Sequence, residues 1–364
     1  MEPILTYGDE RLLRALEKAK RPAYVCTIAS SDTAAIEGLS IAGASADMRK
    51  YTPPADIEAI FYGSARCIPG VAATPDGIPS PVIITMASLA ATGMPVFAVD
   101  AGCEVPPQAP YVKVGYTPAR SLVLGKAVDD PIGLFERGWY LGENLAKLSD
   151  YLLLAESVPA GTTTALAVML ALGLDAEQKV SSTMIGGAHD LKNNTVRTGF
   201  AAAGITKGSL AKEPLEAVRR VGDPMQAVVA GMASAASQRV PVMLAGGTQM
   251  AAVAAVMHRL GRADMHTVCI GTTAWVLNDP DADMVGLAEQ AGCPRVYAAN
   301  LDFGTARYPG MHPYQAGLVK EGVGAGGTAV AALTYGGLDL ADLLERIEGV
   351  YAGTVLPMLD AAGA

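Results

Sequence analysis

The stretch YLLLAESVPAGTTTALAVMLALG, residues 151–173, reads as a buried strand, a tight loop and an apolar helix. Glu156 stands where the strand gives out. A carboxylate is costly to desolvate, so one placed between two hydrophobic elements calls for a reason. Taken alone, it is as well explained by a strand end that caps or pairs as by catalysis.

The same grammar recurs along the chain: a short apolar run, then a turn of Gly, Ser or Thr, then a helical pattern. The runs are AYVCTIA from Ala23, IEAIFYG from Ile57, PVFAVDAG from Pro95, YLLLAES from Tyr151, PVMLAGG from Pro241, HTVCIGTT from His266 and RVYAAN from Arg295. Continuous rather than alternating apolar character predicts strands covered on both faces. The expected fold is α/β: a three-layer α/β/α arrangement around a mainly parallel, Rossmann-like sheet. Ligands in such folds bind beyond the carboxyl ends of the strands. Functional residues are therefore expected just after the runs: Ser30, Ser31 and Asp32; Asp100, Ala101 and Gly102; Glu156; Gly246, Gly247 and Thr248; Gly271, Thr272 and Thr273.

Proline-rich patches at 52–56, 77–82 and 104–112 read as loops that punctuate one domain, 21–335. The ends differ from the middle. Residues 1–20 and 336–364 contain charged amphipathic segments that either form a small helical subdomain or cover a sheet edge.

Composition excludes several classes. The chain has 364 residues, 51% hydrophobic and 17% charged, without an uninterrupted apolar run long enough to span a bilayer. Its first twenty residues are charged and helix-like, unlike a signal peptide. A net charge of −9 with scattered Lys and Arg is a poor footprint for nucleic acid or anionic membrane, leaving a small molecule as the expected partner. Five cysteines, Cys26, Cys67, Cys103, Cys269 and Cys293, form no CxxC pair and read as reduced thiols of a cytoplasmic protein. Four widely spaced histidines offer no metal spacing, and no cofactor is implied.

Three segments carry candidate chemistry. In ESVPAGTTTAL, residues 156–166, Gly161 permits a sharp turn and the threonines stand at a helix start. That is either an anion site or a threonine N-cap; without GK[ST] it is no P-loop. VSSTMIGGAHDLKNNTV, from Val180, brings Lys192 together with hydroxyls and glycines. In LVKEGVGAGGTAVAAL, from Leu318, Gly322, Gly324 and Gly327 follow Glu321, with no clear strand ahead of them. Two glutamates in similar settings suit acid–base work or stabilisation of a developing cation, and apolar walls raise a glutamate toward a usable base.

Four blocks, AVDAG at 98–102, LLLAESVPAGTTTALAVMLALG at 152–173, GDPMQAVVAGMASAASQRVPVMLAGGTQMAA at 222–252 and KEGVGAGG at 320–327, lie in one order along most of the chain. Together they resemble the nicotinate-nucleotide:dimethylbenzimidazole phosphoribosyltransferase family, in its archaeal and cyanobacterial-type branch. That family transfers the phosphoribosyl group of nicotinate mononucleotide to a benzimidazole or purine-like base, giving the α-ribazole phosphate used as the lower nucleotide of cobamides. The resemblance implies Glu321 as general base and Glu156 as second glutamate. It puts Gly161, Thr162 and Thr163 in the phosphate loop, with Lys192 facing them. The pocket it implies takes in Ser80, Asp100, Gly102, Gly246, Gly247, Gly322 and Gly324, and the protein would be a cytoplasmic homodimer needing no metal. Dimethylbenzimidazole, another benzimidazole or adenine all remain as acceptors. A nucleotide-binding protein without the chemistry, or another sugar-phosphate enzyme with paired carboxylates, are the other readings.

Overall fold

In the computed structural model, which describes every residue except 1, 44, 75, 183–187 and 364, the opening stretch forms the central strand of a sheet. In chain order the strands are β1 Ile4–Tyr7, β2 Pro22–Ala29, β3 Val96–Gly102, β4 Val112–Lys113, β5 Tyr151–Ser157, β6 Val242–Ala245, β7 Val268–Thr273 and β8 Val296–Ala299. They lie side by side as β1-β8-β7-β6-β5-β2-β3-β4. Every pairing is parallel except that of β1 with β8.

Burial on both faces follows from the alternation of side chains along a strand. In β5, Leu152 and Leu154 enter one apolar layer, while Tyr151, Leu153 and Ala155 enter the other. Helices Gly161–Ala171, Pro224–Ala236 and Thr248–Leu260 cover the first face. Helices Val82–Thr92, Ala325–Thr334 and Leu340–Val350 cover the second. This is the three-layer α/β/α architecture expected. The scarcity of aromatics has a visible use: glycines let the Pro131–Leu148 and Pro224–Ala236 helices nearly touch, and a Cβ on Gly142 would lie 2.2 Å from the Met232 carbonyl oxygen.

Six of the seven apolar runs lie on strands. IEAIFYG is the exception: it belongs to a helix, Thr52–Tyr62, and the TPPAD patch read as a loop is its first turn. Prolines are tolerated at a helix start, where the missing N–H costs nothing. The glycine that ends the run, Gly63, is a left-handed helix cap, donating its N–H to Ala59 O at 2.8 Å. The N-terminal segment also differs from expectation. Ile4–Tyr7 is an edge strand, and only Arg11–Glu17 is helical. That helix packs on Ala325–Thr334, while Leu340–Val350 packs on Val82–Thr92.

Strand order reverses between β5 and β2. From β2 the chain proceeds outward to β3 and β4; from β5 it proceeds the other way through β6, β7 and β8. Loops leaving the carboxyl ends of β2 and β5 therefore diverge and open a crevice, where doubly wound sheets hold ligands. Among the described residues, no helix is long and apolar enough to cross a membrane.

Candidate active site

A pocket lies over the carboxyl end of β5, at this reversal, with about 710 Å³ of empty space when the open solvent at its mouth is counted. Glu156, Ser157, Gly161 and Thr162 line it from β5 and the following helix; Glu321 and Gly322 line it from the loop before Ala325–Thr334; Ser80, Asp56 and Gln249 are among the other polar residues of its wall.

Glu156 is 3% exposed. Its Oε1 accepts from Gln249 Nε2 at 3.0 Å, while Oε2 has no hydrogen-bond partner among the described residues. Burial, reinforced by the nearby charges of Asp223 and Glu321, pushes its carboxyl up to about 8. Gly161 accommodates the contact, since a Cβ there would lie 1.9 Å from Gln249 Oε1.

Glu321 is half-buried and held by donors. Its oxygens accept from Gly322 N–H at 3.1 Å, Gly326 N–H at 3.2 Å and Thr272 Oγ1 at 3.2 Å. Burial drives its pKa to about 7, and these hydrogen bonds stop it rising further. The loop presenting it is pinned on several sides. Val323 N–H donates to Glu156 O at 3.0 Å, and Val323 O accepts from Tyr24 Oη at 2.7 Å and Thr85 Oγ1 at 3.1 Å. Lys320 O accepts from Thr273 Oγ1 at 2.7 Å.

The glycines of EGVGAGG serve this approach. A Cβ on Gly326 would lie 1.9 Å from the Thr272 carbonyl carbon, so only glycine lets the helix start rest on the end of β7. Three non-glycine residues lining the cavity, Ala160, Val319 and Val323, take left-handed φ of 60°, 54° and 58°. Such conformations are costly, for β-branched valine above all, and collect at functional sites.

Asp56 escapes the sequence reading because it falls at the junction of a supposed loop and strand. It is 1% exposed, accepts from Ser80 Oγ at 2.8 Å and Ser157 Oγ at 2.7 Å, and burial raises it to about 7. Asp223 escapes it too: it caps Pro224–Ala236 reciprocally with Gln226, accepts from Thr164 Oγ1 at 2.6 Å, and is raised by burial to about 6. An acidic residue followed by proline is a legible cap signal; nothing local marks its neighbourhood to Glu156.

The other expected site residues are placed as follows. Gly247 abuts Glu321, with a Cβ position 3.7 Å from its Cγ, and Gly246 donates its N–H to Gly271 O at 2.8 Å. Gly324 packs beneath the site against Ala155. Thr163 is fully buried in the first turn of its helix and does not line the cavity. Neither do Asp100 and Gly102, on β3: Asp100 Oδ1 accepts from the N–H groups of Gly102 at 2.9 Å and Cys103 at 2.8 Å, closing a local turn.

Lys192 is fully buried, and its Nζ has no hydrogen-bond partner among the described residues. Burial, then the charge of Lys320, lowers it to about 8. Its neighbour Leu191 reaches Gly38, next to Leu39 on the cavity wall. Gly186 and Gly187 of the same segment lie outside the described residues. Lys320 itself pairs with Asp279 at 2.5 Å. Among the described residues, no group of three His, Cys, Asp or Glu could hold a metal ion.

No family model matches the chain. A protein of Methanothermobacter thermautotrophicus described as a UPF0284 protein is 42% identical over 329 residues, spanning 89% of this chain and 91% of its own length. A UPF0284 protein of the cyanobacterium Trichodesmium erythraeum is 41% identical over 345 residues, spanning 92% and 94%. Among solved structures, the nicotinate-nucleotide-dimethylbenzimidazole phosphoribosyltransferase of Thermus thermophilus superposes with a TM-score of 0.60 over 93% of this chain and 87% of that one, at 19% identity. A structure of CobT from the same organism gives 0.62 over 93% and 90%, at 18% identity. These superpositions establish a shared fold.

Proposed function

The chain belongs to the UPF0284 family, and from that premise we propose that it is a phosphoribosyltransferase moving the phosphoribosyl group of nicotinate mononucleotide to a benzimidazole or purine-like base. The observation that carries this reading is the pair Glu156 and Glu321, lining one cavity at the strand reversal and both raised toward neutrality.

A base near neutral pH is best served by a group whose pKa lies there. Glu321, at about 7, takes the N–H proton of the incoming base. The base's other nitrogen then forms a bond to the ribose C1′ as the bond from C1′ to the nicotinate nitrogen breaks. The bonding pair returns to that nitrogen, the pyridinium ring becomes the neutral pyridine ring of the nicotinate anion, and the anomeric centre inverts from β to α.

Glu156, at about 8, is protonated in the empty site at neutral pH. A cationic pyridinium bound beside it favours the carboxylate, which then stabilises positive charge growing on the ribose. In this reading the 5′-phosphate lies at the N-terminal end of the Gly161–Ala171 helix, where backbone dipoles favour an anion, and Lys192 Nζ, which has no hydrogen-bond partner among the described residues, turns to it. Phosphate binding then holds the ring in line with the incoming base.

Incubation of the protein with nicotinate mononucleotide and a panel of azole and purine bases is expected to release nicotinate; no turnover with any base refutes the proposal. Glu321→Gln is expected to retain nucleotide binding and lose on the order of 10²–10⁴ in rate, the usual contribution of a general base. A nucleotide-binding protein without the chemistry would be indifferent to that change.

A further inference from the structure

The proposed chemistry leaves one buried carboxylate of the cavity without a task. Asp56 lines the wall with Ser80 and Ser157, and each of its oxygens accepts one serine hydroxyl, at 2.8 Å and 2.7 Å. The three residues come from separate elements: the Thr52–Tyr62 helix, the turn before Val82–Thr92, and the tip of β5.

A hydroxyl has one hydrogen and two lone pairs. An ionised carboxylate only accepts, so both serine hydrogens are committed to Asp56 and both serine oxygens face other partners solely as acceptors. Ser80 Oγ already receives the Val82 N–H at 3.3 Å. Ser157 Oγ receives no donor among the described residues, although the residue is only 6% exposed and lines the cavity. Above about pH 7, where Asp56 is ionised, this wall is thus an acceptor surface backed by a negative charge, with Leu39, Ile78 and Val323 among the apolar residues lining the same cavity.

We infer that the Ser157–Asp56–Ser80 wall selects an incoming base that turns an N–H donor toward Ser157, an exocyclic amine in particular, over one offering methyl groups or bare lone pairs there. This rests on the phosphoribosyl-transfer reading and names the acceptor class within it. Asp56 is a positioning residue: it acts through the serines by fixing where their hydrogens point. An unmade hydrogen bond at a buried polar group is penalised more than a made one is rewarded, which gives such a wall its discrimination.

The test uses adenine and purine, which share a ring system and differ by the amine, with the full chain at pH 8.5. Calorimetric titration of each base reads the wall, and nicotinate release in parallel reads the reaction, so the two proposals fail separately. The wild type is expected to bind adenine about tenfold or more tightly than purine. Ser157→Ala is expected to shrink that ratio to below about threefold. Asp56→Asn places an N–H₂ against one serine, frees that hydroxyl to donate into the cavity, and is expected to abolish or reverse the preference. Equal binding of the two bases by the wild type, binding of neither, or a ratio unmoved by Ser157→Ala overturns the inference. The Ser157 variant keeps the test decisive if the Asp56 variant does not fold.

Discussion

Replacing Glu156 by Gln should make the protein more stable, by an amount that grows as pH rises from about 4.5 to about 8. Unfolded, this carboxyl ionises near its ordinary 4.5; folded, burial and the charges of Asp223 and Glu321 hold it protonated up to about 8. A raised acid contributes no penalty below pH 4.5. Between 4.5 and 8 the unfolded state releases a proton that the folded state retains, so stability falls as pH rises, and above 8 the loss is complete. At about 1.4 kcal/mol per pH unit the rise corresponds to a ceiling of about 5 kcal/mol. Asp223 and Glu321 also titrate across this window and share the repulsion, so we expect Glu156→Gln to gain on the order of 2–4 kcal/mol over wild type at pH 8.5 and under about 1 kcal/mol at pH 5. The glutamine keeps an oxygen for Gln249 and fills nearly the same volume, so packing contributes little. Urea unfolding of both proteins at the two pH values measures the difference. A variant destabilised at both pH values would refute the argument, because it would make the charge a structural asset rather than a cost the fold carries.

Other expectations follow from the same geometry. The kcat/KM for nicotinate release should rise as pH increases through about 7, because the base Glu321 must be ionised; a profile flat from pH 6 to 8 would exclude it as the base. Lys192→Met should raise the melting temperature near pH 7, where the wild type holds a buried ammonium lowered to about 8, while weakening nicotinate mononucleotide more than free nicotinate in binding assays. Gly326→Ala should destabilise by about 1–3 kcal/mol or more in thermal unfolding, because its methyl meets backbone rather than a movable side chain.

The layer structure was legible because parallel strands are apolar on both faces, a property of contiguous residues. Glu156 and Glu321 were legible because each interrupts an apolar or glycine-rich run. Asp56 was not: its partners Ser80 and Ser157 are 24 and 101 residues away, and Pro53 and Pro54, which begin a helix, read equally well as a loop. The N-terminal edge strand was hidden for a similar reason. Four residues are too few to show a period against a charged background, and only β8 makes them a strand. Gln249 follows a glycine pair seen as a ligand loop, and what identifies it is the carboxylate it meets, 93 residues earlier.

Glu156 and Ser157 are consecutive, yet the pleat of β5 sends them to opposite sides of the sheet, the first toward Gln249 and the second toward Asp56. The two ends of the cavity are therefore walled by different packing layers that meet at a single peptide bond. The side chains that shape the Asp56 wall and the helices around Glu156 thus belong to separate layers, yet they are not electrically separate: the Asp56 charge is among those that raise Glu156, so a change in the acceptor wall also shifts the acidity of the carboxyl across the sheet.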